Sequence, residues 1–247
     1  MNINEKIYFA SDLHLGFPNY KEGREREKIF VKWLDQIKED ATKLYLLGDV
    51  FDFWFEWKNV VPRGFTRFLG KIAELSDRGI EIHFFIGNHD VWIFDYLAEE
   101  LNITVHKNPL VIEHCGVSVF MAHGDGLGPG DHGYKMLKKI FHNKTLQWMF
   151  ARIHPNFAIW IANKWSVSSR NGQNKPKSFG ENEWLFQFAK NKNKTTPHDI
   201  YIFGHRHIPE VLNIDNNTKY VNLGDWISHN TYGVLENGKF SLNSFKD

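Results

Sequence analysis

Short apolar runs alternate with longer amphipathic ones along this chain, and polar clusters recur where they join. Lys6–Ala10 reads as a mostly apolar strand closed by Ser11-Asp12-Leu13-His14. Over 24–39, Ile29, Phe30, Trp33, Leu34 and Ile37 fall at helical spacing with charges between them, predicting an amphipathic helix. Residues 43–47 form a second strand-like run ending in Gly48-Asp49. The stretch 65–78 is helix-patterned, with Gly79 as its stop, and 81–86 is a third run ending in Gly87-Asn88-His89-Asp90. Strands alternating with helices predict a sheet built from crossover units, hence an α/β fold.

The second half changes pattern. Runs at 110–113 and 117–121 predict a hairpin turning at Cys115-Gly116, and its second strand leads into His123-Gly124-Asp125. Residues 131–180 lack strand character and hold three short helix-like stretches, which marks them as a helical insertion within a single domain spanning 1–247. Strand character resumes at 199–203, ending in Gly204-His205-Arg206-His207. Runs at 211–214, 219–222 and 232–236 then predict a closing meander with Asn-Asn and Asn-Gly turns.

Composition narrows the setting more than the chemistry. A length of 247 residues suits one α/β domain with a sizeable core. The single cysteine, Cys115, excludes a disulfide framework and a Cys-based zinc module, and it points to a reducing compartment. The chain enters its first strand almost at once, leaving no room for a signal peptide. No apolar run reaches the roughly 18–20 residues of a membrane span. A cytoplasmic protein is therefore expected. A net charge of +1 gives no global attraction to nucleic acid.

The polar clusters carry the chemistry. Asp12 and His14, Asp49 and Asp52, Asn88 with His89 and Asp90, His123 and Asp125, and His205 and His207 each follow an apolar strand. In an open α/β sheet the carboxyl ends of strands line a shared crevice, so residues far apart in sequence meet there. Carboxylate, imidazole and amide ligands suit divalent first-row metals, and a carboxylate can bridge two ions. Two ions about 3.5–4 Å apart clamp the attacking and leaving oxygens of an in-line displacement at phosphorus. In Asp12-Leu13-His14 and His205-Arg206-His207, residues two apart point the same way if the chain stays extended. Each cluster alone is commonplace; all five, each after a strand, are not. His83, His106 and His114 lie within strand-like segments and read as hydrogen-bonded or solvated histidines instead.

Asp12-x-His14, Gly48-Asp49-x-x-Asp52, Gly87-Asn88-His89-Asp90, His123-Gly124 and Gly204-His205-x-His207 resemble the ordered motifs of the calcineurin-like metallophosphoesterases. The resemblance implies a four-layer α/β/β/α sandwich with metals at the strand ends. It assigns one metal to Asp12, His14, Asp49 and His207, and the other to Asn88, His123 and His205 with Asp49 bridging. His89 would lie near the phosphate and stabilise charge or protonate the leaving oxygen. The alternative for it is support through Asp90, and its acid–base character near neutral pH favours the catalytic role. Oxygen and imidazole ligands without thiolate suit Mn²⁺, Fe²⁺ or Zn²⁺, and the resemblance favours two Mn²⁺ ions.

The insertion bears on the substrate. Residues 131–180 contain nine Lys or Arg and a single acidic residue, Asp131, interleaved with Met136, Phe141, Trp148, Met149, Phe150, Phe157, Trp160 and Trp165. Basic and aromatic residues on short amphipathic helices suit a membrane interface. They equally suit a helical pair docked on the core with its basic face solvated, and composition leaves the two even. His123-Gly124-Asp125 followed by Asp131 and a basic helical insertion is similar to the UDP-2,3-diacylglucosamine pyrophosphohydrolases of lipid A synthesis. That resemblance implies a lid that shelters acyl chains at the cytoplasmic face of the inner membrane. The implied reaction is hydrolysis at the α-phosphorus, giving UMP and 2,3-diacylglucosamine 1-phosphate. It places substrate contacts at Asn88, Asp131, Ser169 and Arg170. Two positions depart from the best-known branch: His89, where that branch has Arg, and Asp52, where it has Glu. Phe51-Asp52-Phe53-Trp54-Phe55-Glu56-Trp57 is either an apolar rim facing acyl chains or a loop packed on the core. The competing functions are a soluble phosphoesterase acting on nucleotides or phosphoproteins, and a non-catalytic module, which predicts missing ligands; none is missing.

Overall fold

A computed structural model describes residues 5–128, 132–171 and 178–246, and of 132–134, 163 and 165–171 the backbone alone. Two mixed sheets form its centre. The first runs β11-β10-β1-β2-β3-β4, from strands β1 (Lys6–Ala10), β2 (Lys43–Leu47), β3 (Glu81–Phe85), β4 (Thr104–His106), β10 (Thr231–Glu236) and β11 (Lys239–Ser244). The second runs β5-β6-β7-β9-β8, from β5 (Leu110–His114), β6 (Val117–Ala122), β7 (Ile200–Phe203), β8 (Pro209–Asn213) and β9 (Lys219–Leu223). In the first sheet β1 to β4 are parallel; in the second β6, β7 and β9 are.

Period-2 alternation assigns each strand's side chains to a layer. Ile7, Phe9, Tyr45, Leu47 and Phe85 point one way from the first sheet and meet Val119, Met121, Ile200, Ile202, Val221 and Leu223 of the second, so the sheets pack face to face. From the other side of the first sheet, Tyr8, Ala10, Leu44, Leu46, Ile82 and Phe84 pack under helices α1 (Tyr20–Ile37), α2 (Thr66–Asp77) and α3 (Tyr96–Leu101). On the outer face of the second sheet, Phe120, Ala122, Tyr201, Phe203 and Tyr220 pack under α7 (Trp184–Asn193). The four layers follow from that alternation. The α1 helix starts where the Asn19 side chain accepts from the Lys21 and Glu22 amides, and it buries Phe30, Trp33, Leu34 and Ile37.

Between β6 and β7 lie α4 (His132–Phe141), α5 (Lys144–Phe150) and α6 (Pro155–Asn171). Among the described residues no helix is long and apolar enough to cross a membrane.

Two expectations need correction, and one open alternative is decided. The closing strands are not one meander: β8 and β9 form a hairpin in the second sheet, whereas β10 returns to pair antiparallel with β1 and carries β11 on its far side. Of the two readings of 51–57, the loop packed on the core is the one observed: Phe51, Trp54 and Phe55 are buried. Phe51 and Trp54 stack on each other and join the core beneath α2, while Phe55 and Trp57 seat the inserted helices through Phe150, Ala158 and Ile159. Finally, the Asp-x-His and His-x-His pairs are not extended, as the site shows.

Candidate metal centre

The carboxyl ends of β1, β2, β3, β6 and β7 converge, and each turn there is unusual. Asp12, His14, Asp49, His205 and His207 adopt positive φ values of 56°, 44°, 52°, 69° and 59°. Left-handed conformations are costly outside glycine and persist where surroundings over-determine them. Here tight turns, not extended backbone, aim both members of each pair inward. The neighbouring glycines leave no alternative. A Cβ on Gly87 would collide with the Asp49 carboxylate, and one on Gly204 with Ser11 Oγ and Asp12 Oδ2. Hydrogen bonds fix the turns further. The buried Asp90 carboxylate accepts from the amides of Gly87, Val50 and Phe51, and Arg26 donates to the carbonyls of Leu13, His14 and Phe17.

The resulting cluster has two lobes. In one, Asp12 Oδ1 lies 3.4 Å from His207 Nε2 and 3.8 Å from His14 Nε2, and the two imidazole nitrogens face each other at 3.3 Å. In the other, Asn88 Oδ1 lies 3.2 Å from His123 Nε2 and 2.9 Å from His205 Nδ1. Asp49 belongs to both: its Oδ2 is 3.6 Å from His14 Nε2 and 3.4 Å from His123 Nε2. Its other oxygen accepts the His89 amide at 2.8 Å. Potential ligand atoms of Asp12, His14 and His207, and of Asp49, His123 and His205, lie within 4.8 Å of one another in each set.

This donor set fits divalent cations. Asp12 Oδ1 is buried without a hydrogen-bond partner, a costly state for a carboxylate oxygen unless a cation takes that position. His123 donates Nδ1–H to the Leu47 carbonyl at 2.7 Å, which aims Nε2 at Asp49. Burial disfavours the charged His123 ring, but the Asp49 carboxylate pushes its pKa up to about 10, so a metal ion taking that position would displace the Nε2 proton. Burial opposes ionisation of Asp49, but His123 and His89 beside it hold its carboxyl well below the usual range. Burial pushes His205 down to about 4, so its ring is neutral near pH 7, the form that binds metal.

His89 sits at the edge of this cluster. Its Nδ1 donates to the Asp52 carbonyl at 3.0 Å, and its ring meets His14 edge-on at 4.8 Å between centroids. Asp52 Oδ1 lies 3.3 Å from His14 Nδ1, so it orients a member of the cluster. Asp125, itself buried, pairs with Lys138 of α4 at 2.7 Å and thereby ties the helical segment to the His123 turn. Asp131 lies outside the described residues, and Ser169 and Arg170 are described only as backbone of α6. His83 and His106 pair with each other at 3.0 Å and His114 with Glu5 at 3.1 Å, away from the cluster.

Sequence reasoning missed two supports at the end of β9. Asn222 donates to the Gly204 carbonyl at 2.7 Å, and Asp225 Oδ2 lies 3.2 Å from His207 Nδ1. The signal was present, since Gly224-Asp225 follows a strand just as Gly48-Asp49 does.

Two layers of sheet between helices, with mixed carboxylate, amide and imidazole groups gathered at strand ends, define a metallophosphoesterase. The family model of calcineurin-like phosphoesterases matches residues 5–209, and the chain belongs to that family. Over 260 aligned residues it is 40% identical to the UDP-2,3-diacylglucosamine hydrolase of Porphyromonas gingivalis, covering 99% of both chains. It is 30% identical to the UDP-2,3-diacylglucosamine hydrolase of Neisseria meningitidis serogroup B, covering 92% of each. One solved crystal structure superposes with a TM-score of 0.54 at 16% identity, over 98% of this chain and 99% of that one, a likeness of fold alone.

Proposed function

We propose that this chain hydrolyses the pyrophosphate of UDP-2,3-diacylglucosamine with two divalent metal ions, most simply Mn²⁺, giving UMP and 2,3-diacylglucosamine 1-phosphate. The observation that carries the chemistry is Asp49 Oδ2, shared between His14 Nε2 at 3.6 Å and His123 Nε2 at 3.4 Å. The substrate class is supported by 40% identity across 99% of a relative with that name.

One ion would be held by Asp12, His14, Asp49 and His207, the other by Asp49, Asn88, His123 and His205. Two such cations supply Lewis-acid charge to phosphoryl oxygens and acidify water at neutral pH. The rest falls to the chain. Strained turns hold seven ligands in place before substrate arrives, so little reorganisation is left for the reaction. Asn88 also reaches the substrate phosphate. Water adds to the α-phosphorus, the bond to the bridging oxygen breaks, and 2,3-diacylglucosamine 1-phosphate departs. His89, held through Nδ1 by the Asp52 carbonyl, stabilises charge on the phosphoryl group or protonates the departing oxygen.

The segment 131–180 acts as a lid within the single domain, with Asp131, Ser169 and Arg170 as substrate contacts. Its described surface favours an interface with lipid. Met136, Trp148, Met149, Phe157 and Trp160 are each at least half exposed. Arg152 and Lys164 lie over the Trp148 and Trp160 rings at 4.5 and 4.2 Å, pairing cation with amphipathic ring as a headgroup region favours. The protein would work in the cytoplasm, peripheral on the inner membrane. Incubating Mn²⁺-loaded chain with UDP-2,3-diacylglucosamine should release UMP. Hydrolysis of bis(p-nitrophenyl) phosphate without UMP release would instead favour a soluble phosphoesterase of other specificity.

A further inference from the structure

Asp225 is buried just past β9, in a loop pinned on two sides. The Trp226 amide donates to the Asp12 carbonyl at 3.1 Å, and the Trp226 ring is wedged against Phe30 and Trp33 with centroids 4.6 and 5.1 Å apart. The carboxylate itself is fixed by donors from its own loop. Oδ1 accepts from the Ser228 amide at 2.9 Å, the His229 amide at 3.1 Å and His229 Nδ1 at 3.0 Å. That leaves Oδ2 aimed at His207 Nδ1, 3.2 Å away.

His207 needs such a hold. It sits in a left-handed conformation, and its side chain is about a fifth exposed, whereas those of Asp12 and His14 are almost completely buried. Stacking on His14, with ring centroids 4.9 Å apart, sets the plane of the ring but not which nitrogen carries the proton. We infer that Asp225 is a positioning residue for His207, locking the tautomer that carries its proton on Nδ1 so that Nε2 faces Asp12 and His14 as a metal ligand. A carboxylate only accepts, so its partner nitrogen must donate, and the opposite nitrogen keeps its lone pair. The inference rests on the reading of His207 as a metal ligand.

The test is a four-way comparison of metal-stripped full-length chains: wild type, D225N, H207A and the double variant, titrated with Mn²⁺ and followed by the electron paramagnetic resonance of the free ion. D225N should weaken one of two sites about 10- to 100-fold and leave the other unchanged. The double variant should bind no more weakly than H207A, because Asp225 acts through His207. Losses that add in the double variant, or D225N binding both ions like wild type, overturn the inference. A wild-type chain that binds no Mn²⁺ sinks the metal reading and the inference with it. A readout independent of any variant's folding is the ¹⁵N spectrum of His207 in Zn²⁺-loaded wild type. A proton on Nδ1 supports the inference, and a proton on Nε2 overturns it.

Discussion

In the crevice, Asp12, His14, Asp49 and His123 are almost wholly buried, and their turns are braced by hydrogen bonds: Ser11 donates to Asp12, Arg26 to the His14 carbonyl, His123 to the Leu47 carbonyl, and Asp90 accepts from the Asp49 and Val50 amides. In α4 and α5 the reverse holds: α5 has no buried residue, and Trp148 and Met149 stand more than half exposed. Both regions contain polar and aromatic side chains at high density. The crevice spends backbone strain to keep a few atoms within ligand distance of one another, as a reaction at one phosphorus atom demands. The helical segment keeps apolar surface uncovered, held to the rest by Lys138–Asp125 and by Phe150 against Phe55 and Trp92. One region is built for a point, the other for an area.

Breaking the crevice should have the largest effect. Asp49→Ala removes the carboxylate shared by both lobes. Turnover should fall by more than the ~100-fold that losing an outer partner of a ligand costs, measured as kcat with saturating Mn²⁺. Activity close to wild type would remove Asp49 from the centre of the account. His89→Ala should lower kcat by about 10²- to 10⁴-fold with both metal sites still filled, as expected of an acid–base group. An unchanged rate would reduce His89 to scaffolding.

The helical segment should answer differently. Trp148→Ala and Trp160→Ala should each change folding stability by no more than about 0.5 kcal/mol, as exposed positions do. Together they should reduce hydrolysis of the acylated substrate several-fold while sparing bis(p-nitrophenyl) phosphate. Equal losses on both substrates would argue against a lipid-facing surface. By contrast, Phe55→Ala at the buried seat of the segment should cost about 3–5 kcal/mol in chemical denaturation.

The smallest effect lies outside both regions. Burial pushes His83 and His106 below their ordinary value of 6.5, and His106, 3.0 Å away, further opposes protonation of His83. The unfolded chain therefore binds protons more readily than the folded one once pH falls below about 6.5, and folding stability declines there. Replacing His106 with Gln should make that decline shallower in melts of the metal-free protein between pH 7 and 5. An unaltered slope would show that the pair does not contribute.

How much was readable in the sequence divides along the same line. Strand ends were legible because the short apolar runs of β1 and β2 stop abruptly at Ser-Asp and Gly-Asp, and these two strands, parallel to each other and buried on both faces, carry four apolar residues in a row. The separation of β9 from β10 into different sheets was not legible, since pairing partners of a strand leave no mark on its own pattern. β4, with three residues, is too short to show a period. Left-handed backbone at Asp12 and Asp49 was also invisible, because it goes with the close approach of Gly204 and Gly87, far away in sequence, rather than with the residues themselves. Asp225 could have been found from Gly224-Asp225 after a strand, but its partner nitrogen could not.

Crystals soaked in Mn²⁺ and measured near the manganese absorption edge test the central claim most directly. The account predicts two anomalous peaks about 3.5–4 Å apart. One should lie among Asp12, His14, Asp49 and His207, the other among Asp49, Asn88, His123 and His205. Fully soaked crystals with no peak in the crevice, or with ions bound only elsewhere on the surface, would contradict it.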